Sequence, residues 1–268
     1  MNLNEKKMLS ILKEGKEKYS YVGIKAEFEA EGTRSDEMLR LSEIVRKANL
    51  NIGIKIGGCE AVSDLYQTRL IGADYIIAPM AETPYAVSKY IEAKNKVYSE
   101  EERKDVRFLF NLETITAFNN LEGIAKAATV KDGADGMVFG RVDFVGSMGL
   151  SRDHIASGKI SEHINKSAKI CQDNKLDFVV GGGVAKETID SVSDAKKTYL
   201  TRFETRKVIF NAEALDNNAD KINKALENAV HFELLWLQNK QDYYSQISKE
   251  DQSRIEMLSK RFNLLSDS

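Results

Sequence analysis

Two carboxylates fall where a repeating α/β chain places its chemistry. Glu113 ends the run RFLFNLE (107–113) and Asp143 ends the run GMVFGRVD (136–143), each apolar on one parity until that end. Ligands bind at the C-terminal ends of strands in parallel α/β folds. Two acids one βα unit apart at that end suggest a divalent-metal site with oxygen ligands. Mg²⁺ and Mn²⁺ commonly take one or two carboxylates and fill the remaining positions with water and substrate oxygens. A structural reading competes: Glu113 favouring the N-terminus of the next helix and Asp143 sitting in a loop turn.

Other segments alternate in the same way. In YVGIKAEFEAEG (21–32), Ile24, Ala26 and Phe28 share one face, and Lys25, Glu27, Glu29 and Glu31 the other. NIGIKIGG (51–58) sets Ile52, Ile54 and Ile56 against Lys55, and Asn111 shares a face with Glu113. Arg141 has the parity of Asp143, and in YLTRFETRKVIF (199–210), read as one strand, Arg202, Glu204 and Arg206 share a face. Parallel strands covered on both faces are nearly continuously apolar, so this alternation needs a cause. A half-exposed antiparallel sheet would give it, but helices intervene. A closed barrel explains it better, with apolar residues against a ring of helices and charged residues pointing inward near the mouth. Buried charges that lack a partner are expensive, so a mixed-sign basin must pair internally, bind an ion or hold a ligand.

The elements that would position these groups alternate strand and helix, which implies right-handed βαβ units and a mostly parallel sheet. The length of 268 residues suits one α/β barrel domain. The expectation is therefore a TIM-type (β/α)8 barrel over 1–212 with a helical extension over 213–268, the whole forming a single domain. The extension packs either on its own barrel or on a partner subunit. Seven strands are evident. The eighth must come from the N-terminal element, or the barrel is incomplete, so one strand is expected to be atypical. The extension reads as a long helix followed by another that Ser248 and Asp251 would cap, carrying Ile255, Leu258, Phe262 and Leu265 on its apolar face.

Composition narrows the class. Hydrophobic content of 42% and charge of 30% describe a soluble globular protein, and the net charge of −2 offers no electrostatic case for nucleic acid or an anionic membrane. No apolar run approaches the roughly 20 residues of a membrane span, and the N-terminus reads as a charged helix, not a signal peptide. Cys59 and Cys171 lack metal-type spacing and read as reduced thiols. A cytoplasmic protein is expected.

NLETITAFNNLEGIAKA followed by DGMVFGRVDFVGSMG resembles the Q-I-E-T and G-P-x-D-L-x-x-S-x-G pair of the metal-dependent pyruvate aldolase and citrate lyase β-subunit-like family. GADYIIAPMAETPYAV is similar to that family's G-x-x-x-x-x-V-P-M-V-x-T-x-x-x-A segment, so the resemblance spans about residues 50–150 in order. It implies a barrel of the phosphoenolpyruvate/pyruvate superfamily, with Glu113 and Asp143 as ligands of Mg²⁺ or Mn²⁺. Asn111 stands where the family has Gln, and the backbone at Val142 and Asp143 matches the amides that hold the pyruvate carboxylate. Lys55 falls near an Arg that polarises the substrate carbonyl, keeping the charge and losing the fork. The implied activity is a metal-dependent carbon–carbon lyase acting through the enolate of a 2-oxo acid such as pyruvate or oxaloacetate. Acyl-CoA lyase or phosphoenolpyruvate chemistry is one alternative, and a non-catalytic carboxylate-binding barrel is another. Family analogy implies a closed homo-oligomer.

The departures from the family pattern set the remaining expectations. EFEAEGTR (27–34) matches a D-x-E-H motif through Glu29 and Glu31, but Gly32 stands at the His. Acid–base catalysis then falls to Glu29, Glu31, Lys25 or metal-bound water. Lys55 either assists the carbonyl, pairs with Glu29 or Glu113, or forms a Schiff base. Arg206 either clamps an anionic group or makes a structural ion pair. The amides of GGGV (181–184) suit an anion or simply a tight turn. His154, His163 and His231 read as surface or packing residues.

Overall fold

The computed structural model describes residues 1–266. Eight strands close into a barrel in chain order: β1 (Tyr21–Glu27), β2 (Asn51–Lys55), β3 (Tyr75–Ala78), β4 (Arg107–Leu112), β5 (Gly136–Gly140), β6 (Asp177–Gly181), β7 (Arg202–Glu204) and β8 (Val208–Asn211). Neighbours from β1 to β7 pair in parallel, while β8 runs antiparallel to both β7 and β1. The surrounding helices are α1 (Leu3–Lys18), α2 (Ser35–Lys47), α3 (Val62–Ile71), α4 (Pro84–Val97), α5 (Ile115–Asn119), α6 (Leu121–Ala128), α7 (Arg141–Ser147), α8 (Gly158–Asp173), α9 (Ile189–Thr198) and α10 (Ala219–Ser266).

The period of two works as expected. Ile76, Phe108, Phe110, Met137, Phe139, Phe178 and Val180 face outward into the main core beneath the helices, and Ile77, Leu109, Val138 and Val179 form a separate apolar cluster inside the barrel. Thr83 accepts from the Ala86 amide at 3.1 Å to start α4 with Pro84 in its first turn, and Thr114 does the same for α5 through Ala117.

The eighth strand comes from neither source expected. Residues 199–210 are not one strand but a hairpin: the Thr205 amide donates to Val208 O at 3.0 Å, and the Val208 amide donates to Thr205 Oγ1 at 3.1 Å. This turn takes the place of a helical crossover. Its polar residues alternate so regularly with apolar ones that periodicity cannot separate two short strands from one long strand. The turn also reverses the parity of the residues after it.

The C-terminal extension is a single 48-residue helix, about 72 Å at 1.5 Å per residue, with no break at Ser248. Ser248 and Asp251 therefore cap nothing. Ile222, Ala225, Leu226, Ala229, Phe232, Leu235 and Trp236 are buried, and no described residue of α10 beyond Trp236 is buried. The helix is held to the barrel by this segment and by polar contacts to α2, where Lys240 pairs with Glu37 at 3.0 Å and Tyr244 donates to Glu37 at 2.9 Å. Replacing the fully buried Phe232 by alanine is expected to cost about 3–5 kcal/mol, read as a lowered urea midpoint at unchanged m.

Candidate active site

The site is built where β4 and β5 end. Glu113 follows the last residue of β4 and shares the inward parity of Asn111, leaving it 1% exposed. Its Oε1 accepts from the Met80 amide at 3.0 Å, and its Oε2 accepts from Asn111 Nδ2 at 2.6 Å. Lys55, from the end of β2, brings its Nζ to 3.6 Å from Glu113 Oε2 and 3.3 Å from Glu29 Oε2. That pairing is the structural reading of Lys55, and it sets the side chain between two carboxylates. Burial pushes the Glu113 carboxyl above its ordinary range and Asp143 adds to the rise, against the pull of Lys55, the Met80 amide and Asn111. Gly140 is required opposite: a Cβ there would lie 2.8 Å from Glu113 Oε2 and 2.9 Å from its Cβ.

Asp143 arrives differently from the expectation. β5 stops at Gly140, and Arg141–Asp143 form the first turn of α7, so Asp143 is not a strand residue. Its carboxylate is exposed at an open recess of about 540 Å³ that Met80, Thr114, Val142, Ser147 and Arg152 also line. Met80 joins the two acids, because it walls the recess while its amide holds Glu113.

Arg141 does not enter the basin. Its buried guanidinium points between the helices, donating from Nε to Gly182 O at 3.0 Å and from Nη1 to Ser191 Oγ at 2.6 Å. Its Nη2 has no hydrogen-bond partner, and burial alone pushes its pKa down to about 10, with no carboxylate acting against the shift. It ties the loop after β6 to the start of α7.

The rest of the basin is paired internally. Lys25 bonds Glu204 past the intervening β8 and lies 3.5 Å from Glu27, all three buried. Arg202 sits lower, beside the inner apolar cluster, on Asp177 at 2.8 Å and over the Tyr75 ring. The hairpin turn corrects Arg206: it stands on the outer rim, exposed, 3.3 Å from Glu31 and 3.9 Å from Glu233. Glu29 and Glu31 lie in the loop beyond β1, Glu29 against Lys55 and Glu31 against Arg206 and Lys207. Sequence reasoning passed over Lys207, whose parity looked outward in an unbroken strand, and over Met80, whose contribution is a main-chain amide that no side-chain pattern reveals.

The donors fit a hard divalent cation. Among the described residues no group of three or more His, Cys, Asp or Glu is placed to hold a metal, but Mg²⁺ and Mn²⁺ need only one or two carboxylates from the protein. Asn111 Oδ1 is buried with no hydrogen-bond partner, an uncommitted oxygen on the side chain that grips Glu113. The ionised Glu113 is disfavoured by burial and by Asp143, and a bound cation relieves both. None of the histidines contributes: His154 and His231 are exposed, and His163 packs on Phe118 and Phe144.

A closed, mostly parallel barrel with acids at its C-terminal mouth defines an enzyme-type scaffold, and comparison with known families places it. Residues 43–195 match the HpcH/HpaI aldolase/citrate lyase family, and the chain belongs to that family. An aldolase-type lyase is the activity class this membership supports. No curated protein sequence gives a significant match. Among solved structures, an HpcH/HpaI aldolase from Desulfitobacterium hafniense DCB-2 is similar at a TM-score of 0.58 and 12% identity, covering 78% of this chain and 84% of that one. A HpcH/HpaI aldolase/citrate lyase family protein from Burkholderia cenocepacia J2315 has a TM-score of 0.58 at 14% identity, covering 76% and 85%. The citrate synthase SbnG has a TM-score of 0.55 at 14% identity, covering 88% and 89%. At these identities the structures support the barrel fold, which the strand pairing of this chain shows directly.

Proposed function

We propose that the protein is a divalent-metal-supported carbon–carbon lyase acting through the enolate of a 2-oxo acid such as pyruvate or oxaloacetate. The observation that carries this reading is Glu113, a buried carboxylate at the barrel mouth gripped by the Met80 amide, an asparagine and Lys55, with the carboxylate of Asp143 exposed in the recess that Met80 walls. Glu113 and Asp143 would hold Mg²⁺ or Mn²⁺, which supplies positive charge where the substrate's carbonyl oxygen becomes an enolate oxygen. Lys55 adds a fixed cation aimed at the same developing charge, kept in place by Glu29. The main chain at Val142 and Asp143, in the first turn of α7, supports the substrate carboxylate. Arg152 also lines the recess and would face an anionic group of a second substrate there.

The test is release of pyruvate from 4-hydroxy-2-oxo acids in the presence of Mg²⁺ or Mn²⁺, followed by coupled NADH oxidation. Replacing Asp143 by asparagine is expected to slow release about 10²-fold and to raise the metal concentration needed for half-maximal rate. Equal rates and equal metal dependence in Asp143→Asn and the parent protein contradict the assignment.

A further inference from the structure

We propose that Arg152 and the main chain of the loop 182–184 form a phosphate subsite at the edge of the recess, which makes the second substrate a phosphorylated aldehyde. The proposal deepens the enolate reading above and rests on it.

Asp143 and Arg152 are the two charged residues that line the recess, and among the described residues neither makes an ion pair or a hydrogen bond. The hydroxyls that share the recess are committed. Thr114 Oγ1 donates to Glu82 at 2.7 Å, while Ser147 Oγ donates to Phe144 O at 2.7 Å and accepts from the Ile115 amide at 2.8 Å. The recess therefore keeps a free carboxylate and a free guanidinium, too far apart to pair. With the metal assigned to Asp143, the guanidinium is left for an anionic group of the other substrate.

Which anion follows from the main chain beside Arg152. Gly183 stands against it: a Cβ added there would lie 3.8 Å from Arg152 Nη2. The Gly182 carbonyl accepts from Arg141 Nε at 3.0 Å, and the Gly183 carbonyl accepts from Thr188 Oγ1 at 2.7 Å. In a trans peptide the following N–H points opposite to the carbonyl, so the amides of Gly183 and Val184 point away from those partners. Neither amide donates a hydrogen bond among the described residues. The charge around the loop is uncompensated as well. Arg141 is fully buried against Gly182, has an unpartnered Nη2 and makes no ion pair among the described residues. Unpaired guanidinium groups thus lie against neighbouring glycines of one loop, and a bound anion relieves their charge. A carboxylate has two oxygens, which a single guanidinium fork satisfies. A phosphoryl group has three strong acceptor oxygens and a larger charge, enough to use the fork and the free amides together.

The experiment compares addition of pyruvate to glyceraldehyde 3-phosphate and glyceraldehyde, and to 5-oxopentanoate and pentanal, by the full-length protein with Mn²⁺. In the parent protein, kcat/KM for glyceraldehyde 3-phosphate should exceed that for glyceraldehyde about 10²-fold, mainly through KM. The carboxylate should gain 5-oxopentanoate less than about tenfold over pentanal. Arg152→Gln should collapse the phosphate ratio to near one, and Arg152→Lys, which keeps the charge and loses the fork, should restore part of it. A parent phosphate ratio near one, an equal or larger gain from the carboxylate, or a phosphate ratio that survives Arg152→Gln overturns the subsite and leaves the enolate reading standing. Failure to form a carbon–carbon bond with any of these aldehydes, together with no exchange of pyruvate methyl protons, overturns the enolate reading and the subsite with it.

Discussion

Glu113→Gln is expected to abolish lyase activity, lowering it roughly 10²–10³-fold or more, and at the same time to raise the melting temperature of the metal-free protein. Both effects have one cause. The carboxyl sits 1% exposed, and burial lifts its pKa, with Asp143 contributing and Lys55, the Met80 amide and Asn111 opposing. A carboxyl with a raised folded-state pKa favours folding below its unfolded value and loses that contribution as pH rises through the folded value. At neutral pH the ionised form therefore costs stability. Glutamine removes the charge and keeps the shape. The gain should appear as a higher melting temperature of the metal-free variant at neutral pH. Adding Mn²⁺ should reverse the order, because only the parent protein gains stability from binding the ion. Calorimetric scans of both proteins, with and without metal, show whether the ranking crosses over.

Gly182→Ala should be the most damaging small change outside the acids. Gly182 has a φ of +79°, where a side chain is strained, and a Cβ would lie 2.8 Å from the amide nitrogens of Arg141 and Val142. Neither obstacle is a flexible side-chain tip, so the main chain must move. Strain and overlap together are expected to cost about 2–4 kcal/mol. The movement also disturbs function, because the atoms displaced begin α7, which carries Asp143, and the Gly182 carbonyl accepts from the buried Arg141. Urea denaturation should show the lost stability, and the remaining folded protein should bind Mn²⁺ more weakly than the parent.

The barrel was legible in the sequence because each inner strand writes its two faces in alternate residues. Lys25, Glu27, Lys55, Asn111, Glu113 and Glu204 are buried on the inner parity as read. Legibility failed wherever the backbone left the strand without a compositional sign. The run 136–143 leaves β5 at Gly140 for a helix, which turned Arg141 outward and put Asp143 on a helical turn. The turn at Thr205 has no Gly, Pro or Asn to announce it, and it exchanged the places of Arg206 and Lys207. Ser248 and Asp251 imitated a cap inside a continuous helix, because capping residues mark a helix start only where the backbone is already extended. The Met80 amide has no sequence signature at all.

Metal–enolate chemistry at this mouth is decided by whether pyruvate methyl protons exchange with deuterated solvent only when both the divalent metal and the two acids are present. The expected result is exchange by the parent protein with Mg²⁺ or Mn²⁺, its loss on chelation and its return on adding the metal. Near-complete loss is expected in Glu113→Gln and strong loss in Asp143→Asn, with both variants folded. Exchange that survives chelation, or that proceeds at the parent rate without Glu113, contradicts the metal–enolate assignment.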